Sequence, residues 1–412
     1  MNRLVLIGNG FDLAHGLKTS YADFINWYCD ERIKEMGGTI GKESIDILCS
    51  FQYLGEGPMF TYFVDHPVPD LMSGYGLEII REIIQNGKEF KSNLSPLFKR
   101  IIRGVNSKTW AGIEQDYYDL LKEYAFRDRA IYPTEPPIKA LNQQLLFLQE
   151  KLIEYLGEVS TEETDTNRYI KQMIYAPIKT EDIAVEGQER WVEYVMSEMD
   201  KDERKLDYKR TDYGLRNDGY VYEIGDFKNH PWDLKTKDYP DLARLPQQIM
   251  LLNFNYTKIP EKYLNPDVAT IVPIHGELDK PESVIFGYGD ELDEKFKELK
   301  AHKNNACLSH IKSIRYLEAP NYRKVLSFIE SAPFQVLIMG HSCGNSDRTL
   351  LNTIFEHKNC VSIKPYYYVT DKKKKTDNYI ELVQNISRNF TDMKPMRDRV
   401  VNKTQCKPLA GE

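Results

Sequence analysis

The chain has 412 residues, of which 41% are hydrophobic and 28% charged, with a formal net charge of -7. That length and balance fit one large or two ordinary globular domains with a sizeable core, and they carry no signature of disorder. An acidic chain lacks the broad basic footprint that general nucleic-acid binding needs. No apolar run approaches membrane-spanning length, and the four apolar residues between Arg3 and Gly8 are too few for a signal-peptide core, so a cytoplasmic protein without a membrane role is expected. The six cysteines include no CxxC pair, which excludes a readable zinc ribbon or disulfide framework and fits reduced thiols.

In chain order, the first element is a short apolar run, Leu4–Ile7, read as a buried parallel strand. Gly8-Asn9-Gly10 follows as a turn into a helix. Amphipathic spacing then predicts helices over Tyr21–Met36, Leu77–Ile84, Leu94–Arg103, Trp110–Tyr124 and Ile138–Tyr155. The stretch Thr161–Pro240 is richer in charge and poorer in periodicity. Beyond it, Gln248–Leu252 and Phe334–Met339 repeat the buried-strand pattern, with weaker strands expected at Val268–Ile274, Val284–Phe286 and Val361–Val369. Helices are expected at Arg348–Phe355 and Tyr379–Ile386, a solvated turn at Lys372–Lys375, and a loose tail at the end.

Strands alternating with helices argue for an α/β fold, a Rossmann-like parallel sheet carrying a large, mainly helical insertion. The expected division is a discontinuous core of residues 1–20 and 244–390, an insertion of 21–243, and a C-terminal tail of 391–412.

Four turns at the expected carboxyl edge of that sheet carry polar groups, and ligands of open parallel sheets bind beyond that edge. The first, Gly8-Asn9-Gly10, opens like a dinucleotide fingerprint, but Leu13 stands where the third glycine belongs, and the next glycine is Gly16. Asn253-Phe254-Asn255-Tyr256-Thr257 is the second turn and Ile274-His275-Gly276-Glu277 the third. The fourth, Gly340-His341-Ser342-Cys343-Gly344, spells the G-x-S-x-G of a nucleophile elbow. A serine hydrolase would also need an acid and then a histidine downstream, and the only later histidine, His357, sits at the end of the elbow's own helix. Asp12, Asp290 and Asp347 offer carboxylates for a nuclease-type metal site, but no ligand spacing supports one, and no metal is expected.

Taken together, IGNGFDLAHGL-x-TSY, Trp110-x-x-x-Glu114, LNFNYT, IHG and MGHSCGNSD resemble the bacteriophage abortive-infection AbiH family, from the first strand to about Tyr368. At one remove the same turns resemble the sirtuin-like NAD-binding fold. Gly8 to Tyr21 aligns with its G-A-G-x-S and G-I-P-D-F-R stretches, Asn255 with the asparagine of its Q-N-x-D turn, and His275 with its H-G. The resemblance implies anti-phage defence by hydrolysis of the nicotinamide–ribose bond of NAD, with Asn255 and His275 as the catalytic pair. It implies an NAD-facing set of Gly8, Asn9, Gly10, Phe11, Asp12, Gly16, Thr19, Tyr21, Tyr256, Gly340, His341, Ser342 and Asp347. Three departures stand out. The sirtuin zinc-ribbon cysteines are missing, which argues against deacetylation; Thr257 replaces the aspartate that would face nicotinamide; and Asp12 takes the place of a small hydroxyl residue. NAD or a related nucleotide is the implied ligand, and a phage-derived trigger and a homo-oligomer stay open as partners. The alternative reading is a non-catalytic nucleotide-binding sensor or interaction module of a defence system.

Overall fold

The computed structural model of the chain describes residues 1–36, 41–54, 74–86, 90–105, 110–127, 137–161, 164–201, 244–371 and 373–411. Its strands, in chain order, are β1 (Asn2–Ile7), β2 (Glu43–Ile45), β3 (Cys49–Tyr53), β4 (Phe90–Leu94), β5 (Ile249–Asn253), β6 (Ala269–Pro273), β7 (Phe334–Met339), β8 (Cys360–Tyr366), β9 (Val369–Asp371) and β10 (Thr376–Asp377). The chain divides into two compact units, one of Met1–Leu17, Glu163–Val284 and Tyr316–Glu412, the other of Lys18–Glu162 and Ile285–Arg315.

The first unit is built on a five-stranded, all-parallel sheet in the order β6-β5-β1-β7-β8. From central β1 the chain moves outward to β5 and β6, then returns to the other side for β7 and β8. The direction therefore reverses between β1 and β7, the place where open parallel sheets leave a crevice. Every residue of β1, β5, β7 and β8 is buried, as both faces of such a sheet must be. The polar members of β1 are satisfied inside. Arg3 donates to the carbonyls of Ile174 (2.8 Å) and Ala176 (2.7 Å) and to Gln335 Oε1 (3.0 Å), closing the C-terminus of the helix Arg168–Tyr175. Asn167 caps the other end of that helix, accepting from the amides of Tyr169 and Ile170.

Two segments join this unit against expectation. The charge-rich region that begins at Thr161 contributes the helices Arg168–Tyr175 and Val185–Lys201 to it, while its residues 202–240 lie outside the described residues. A buried ion pair, Lys364 Nζ to Asp182 Oδ2 at 2.7 Å, fastens this segment to β8, beside a backbone bond from Ala184 N to the Val361 carbonyl. The expected loose tail is also anchored. It forms the helix Met393–Arg399, and Val401 and Leu409 donate to the carbonyls of Ile363 and Tyr367. Val284–Phe286, expected as a strand, is a buried stretch outside the strands, following a 3-10 turn at Pro281–Ser283.

The second unit holds the predicted helices, at Tyr21–Met36, Gly76–Asn86, Pro96–Gly104, Trp110–Ala125 and Ile138–Val159. It also holds an antiparallel sheet, β2-β3-β4, that the expectation of a mainly helical insertion did not include. Glu114, the acidic residue of the Trp110 motif, is buried and paired with the buried Lys312 at 2.8 Å. This pair joins the Trp110–Ala125 helix to the segment around Lys312, which is a structural duty. Among the described residues no helix is long and apolar enough to cross a membrane.

Candidate functional site at the carboxyl edge of the parallel sheet

All four polar turns lie at the carboxyl ends of β1, β5, β6 and β7, within the first unit. The turns after β1 and β7 meet backbone to backbone. A Cβ on Gly8 would come within 2.5 Å of His341 Cα, and one on Gly340 within 2.1 Å of Phe11 N. Gly340 also sits at φ 78, in the left-handed region that favours glycine. The amides of this meeting place are engaged: Gly8 N donates to the Met339 carbonyl (3.2 Å), Gly10 N to the Gly340 carbonyl (2.9 Å) and Phe11 N to the Gly8 carbonyl (2.8 Å). The glycines thus have a packing reason that is independent of any phosphate. Gly16, with φ 82, ends the short helix Asn9–Leu13 by a left-handed turn.

Phe11 is fully buried against His15 and Tyr263. The His15 ring bonds the Phe11 carbonyl through Nδ1 (2.7 Å) and Tyr263 Oη through Nε2 (2.5 Å), so this motif histidine braces the turn. Asn9 is half-buried beside them.

Asp12 is 1% exposed. Its Oδ2 accepts from Thr257 Oγ1 at 2.7 Å, and Oδ1 is buried with no hydrogen-bond partner. Burial pushes the carboxyl from 3.8 up to about 7, against the lowering effect of the Thr257 and Asn255 side chains. The residue that stands in place of a small hydroxyl is therefore a largely desolvated carboxyl, titrating near neutrality. Thr257, where the resemblance wants an aspartate, is its partner.

The β5 turn folds around its first asparagine. Asn253 Oδ1 accepts from Asn255 N (3.0 Å) and its Nδ2 donates to the Thr257 carbonyl (3.2 Å). Asn255 is buried, and its Nδ2 donates to the Gly8 carbonyl at 3.0 Å, tying the β5 turn to the β1 turn. His275, after β6, is 5% exposed. Its Nε2 lies 3.1 Å from Asp347 Oδ1 and 3.3 Å from Tyr316 Oη. The imidazole meets Phe254 edge-on and lies parallel to the Tyr316 ring at 6.2 Å, with the half-buried Tyr256 ring 6.4 Å away. On the other side of Asp347, His341 Nε2 is 3.5 Å from Oδ2, and the His341 ring lies 4.1 Å from that of Phe254. One carboxylate thus bridges two buried histidines from two different strand ends.

The G-x-S-x-G turn is not an elbow. Its left-handed residues are Gly340 and Cys343 (φ 54), not the serine; Cys343 is fully buried, which pushes its thiol far up, while Ser342 is exposed. The turn is held instead by Asn385, which donates to the Ser342 carbonyl (3.0 Å), and by Asn389, which donates to that of Cys343 (2.9 Å). His357 pairs with Glu330 at 3.1 Å.

Thr19 and Tyr21 belong to the second unit, where the Tyr21 hydroxyl donates to the Ile101 carbonyl at 3.2 Å. Asp290 also belongs there and caps a turn, accepting from the amides of Leu292 and Asp293. Among the described residues no group of three or more His, Cys, Asp or Glu side chains is placed to hold a metal ion. Sequence reasoning missed Tyr316, which carries no motif and stands at the end of a long connection. It also missed the clamp role of Asn253, although the N-F-N spacing is an Asx-turn signal.

The profile of a known family, bacteriophage abortive infection AbiH, matches residues 4–369. No curated protein and no solved structure matches the chain significantly.

Proposed function

From the premise that the chain belongs to the bacteriophage abortive infection AbiH family, we propose that it limits phage by cleaving the nicotinamide–ribose bond of NAD in the cytoplasm of the infected cell. In that reading the scissile bond lies at the carboxyl edge of the sheet, in a sirtuin-like arrangement. The bonding electrons leave with the ring nitrogen, so the pyridinium departs as neutral nicotinamide. Water adds to the ribose carbon and yields its proton to His275, giving ADP-ribose. Groups acting this way contribute about 10²–10⁴-fold. Asn255 holds a ribose hydroxyl or the water by its amide, which requires its bond to the Gly8 carbonyl to be shared or exchanged.

The observation that carries the reading is His275, a buried imidazole at a strand end with a carboxylate at 3.1 Å. The engaged amides of Gly8 and Gly10 move the phosphates away from those two groups, to parts of the edge such as Asn9, Tyr256 and Ser342. A second reading, a nucleotide sensor without catalysis, draws support from the same engaged amides and from the Asn255–Gly8 tie.

The discriminating experiment incubates purified protein with NAD, with and without extract from phage-infected cells, and follows nicotinamide by chromatography. Release is expected. If neither condition releases it while mass spectrometry finds a co-purified nucleotide, the sensor reading replaces the enzyme.

A further inference from the structure

We infer that Asp347 and His341 are positioning residues that fix the tautomer of His275, making Nδ1 its proton-accepting nitrogen. The kinetic consequence rests on the NAD-cleaving reading above; the tautomer itself rests on geometry.

The argument starts at His341. Its Nδ1 accepts the backbone N–H of Cys343 at 3.0 Å, so that nitrogen carries no proton and the neutral ring must hold its proton on Nε2. The acceptor role is built into the turn, because Cys343 is held at φ 54 and its carbonyl is gripped by Asn389. His341 therefore presents a fixed N–H to Asp347 Oδ2 at 3.5 Å.

The other oxygen, Oδ1, faces His275 Nε2 at 3.1 Å. A carboxylate can only accept, and a bare nitrogen lone pair facing it in a dry site would be repulsive. The proton of neutral His275 therefore belongs on Nε2. Tyr316 Oη, 3.3 Å from the same nitrogen, does not decide, since a hydroxyl donates or accepts equally well. Among the described residues the other ring contacts of His275 are the Phe254 edge and the Tyr256 ring, which carry no charge. Nδ1 is left as the base. When it takes a proton, the Nε2–H bond to Asp347 becomes charge-assisted, so the same carboxylate steadies the imidazolium.

The test is the ¹⁵N spectrum of the ring nitrogens in full-length protein labelled at histidine, with signals assigned by their loss in His275→Gln and His341→Gln. Both neutral rings are expected as the Nε2–H form. Asp347→Asn is the informative variant. Its amide has one acceptor, which the fixed N–H of His341 claims, so the NH₂ faces His275 and turns it to the Nδ1–H form. Nicotinamide release should then lose about 10²–10⁴-fold in kcat, with KM for NAD nearly unchanged; the equivalent exchange in a serine-protease triad costs about 10⁴. An Nδ1–H proton on His275 in the unaltered protein overturns the inference, as does an Asp347→Asn protein that keeps the Nε2–H form and full kcat. Should the variant fail to fold, the spectrum of the unaltered protein decides alone. The expected tautomers without nicotinamide release would remove the NAD reading and leave the positioning intact.

Discussion

The two pairs of turns at the carboxyl edge look alike in sequence, each a short polar or glycine-containing loop after a strand, yet they do different work. The β1 and β7 turns are locked together by glycine backbones, with their amides engaged and a Cβ excluded at Gly8 and Gly340. The β5 and β6 turns instead bring buried side chains, Asn255 and His275, to the edge, and Asp347 reaches His275 from beyond β7. The contrast teaches that a glycine motif can mark close backbone approach within the protein as readily as approach to a ligand. Chemistry is better sought where buried polar side chains converge.

The strongest way to break this contrast is Gly340→Ala. It adds a Cβ into the Phe11 amide and imposes a side chain on a φ of 78. Overpacking of about 1–3 kcal/mol and left-handed strain of about 1–2 kcal/mol should together lower stability by about 2–5 kcal/mol. An unchanged urea midpoint would show that the turns are not in contact.

Asp12 sharpens it through pH. Its carboxyl titrates near 7 in the folded chain and near 3.8 unfolded, so between those values the folded state holds a proton that the unfolded state has lost. Its contribution therefore destabilises progressively as pH rises through that window, by a few kcal/mol in all at about 1.4 kcal/mol per unit, and is constant above it. Asp12→Asn removes the titration. The difference in stability between the two proteins should grow from pH 4 to pH 7 in favour of Asn and then level off; a difference that does not change with pH would contradict a desolvated Asp12.

Asn255→Ala cuts a side-chain tie between the β5 and β1 turns and leaves the Gly8 carbonyl with the Phe11 amide alone, so a loss of about 0.5–1.5 kcal/mol is expected in denaturant melts. Ser342→Ala should change least, within about 0.5 kcal/mol, since the side chain is exposed and the turn is held through its backbone. Any effect on nicotinamide release should be confined to KM for NAD, whereas a loss of kcat would return Ser342 to the chemistry.

Much of the sheet was legible because doubly buried strands are apolar runs, as in LVLI and FQVLIM. The same signal misled at Val284–Phe286, since an apolar run reports burial and not a ladder. The antiparallel sheet of the second unit was hidden for the opposite reason: Phe90–Leu94 buries only its two ends, so its alternation is faint. At the edge, the turns could be located from residue types, and Asn255, His275, His341 and Asp347 were all singled out. Their division of labour could not be read. It depends on which nitrogen meets which oxygen, a matter of distances that spacing does not encode. Tyr316 was invisible for a related reason, being brought to His275 by the fold and by no motif.

The most direct test of the contrast compares nicotinamide release per folded molecule for His275→Ala and Gly10→Ala, each normalised by its own unfolding curve. The account predicts that His275→Ala loses about 1–3 kcal/mol of stability, because a partner of the buried Asp347 carboxylate is removed, and still loses about 10²–10⁴-fold in rate per folded molecule. Gly10→Ala should lose stability, having a Cβ 2.9 Å from Gly340 Cα, and keep its rate once normalised. Full activity in His275→Ala, or a folded Gly10→Ala protein without activity, would contradict it.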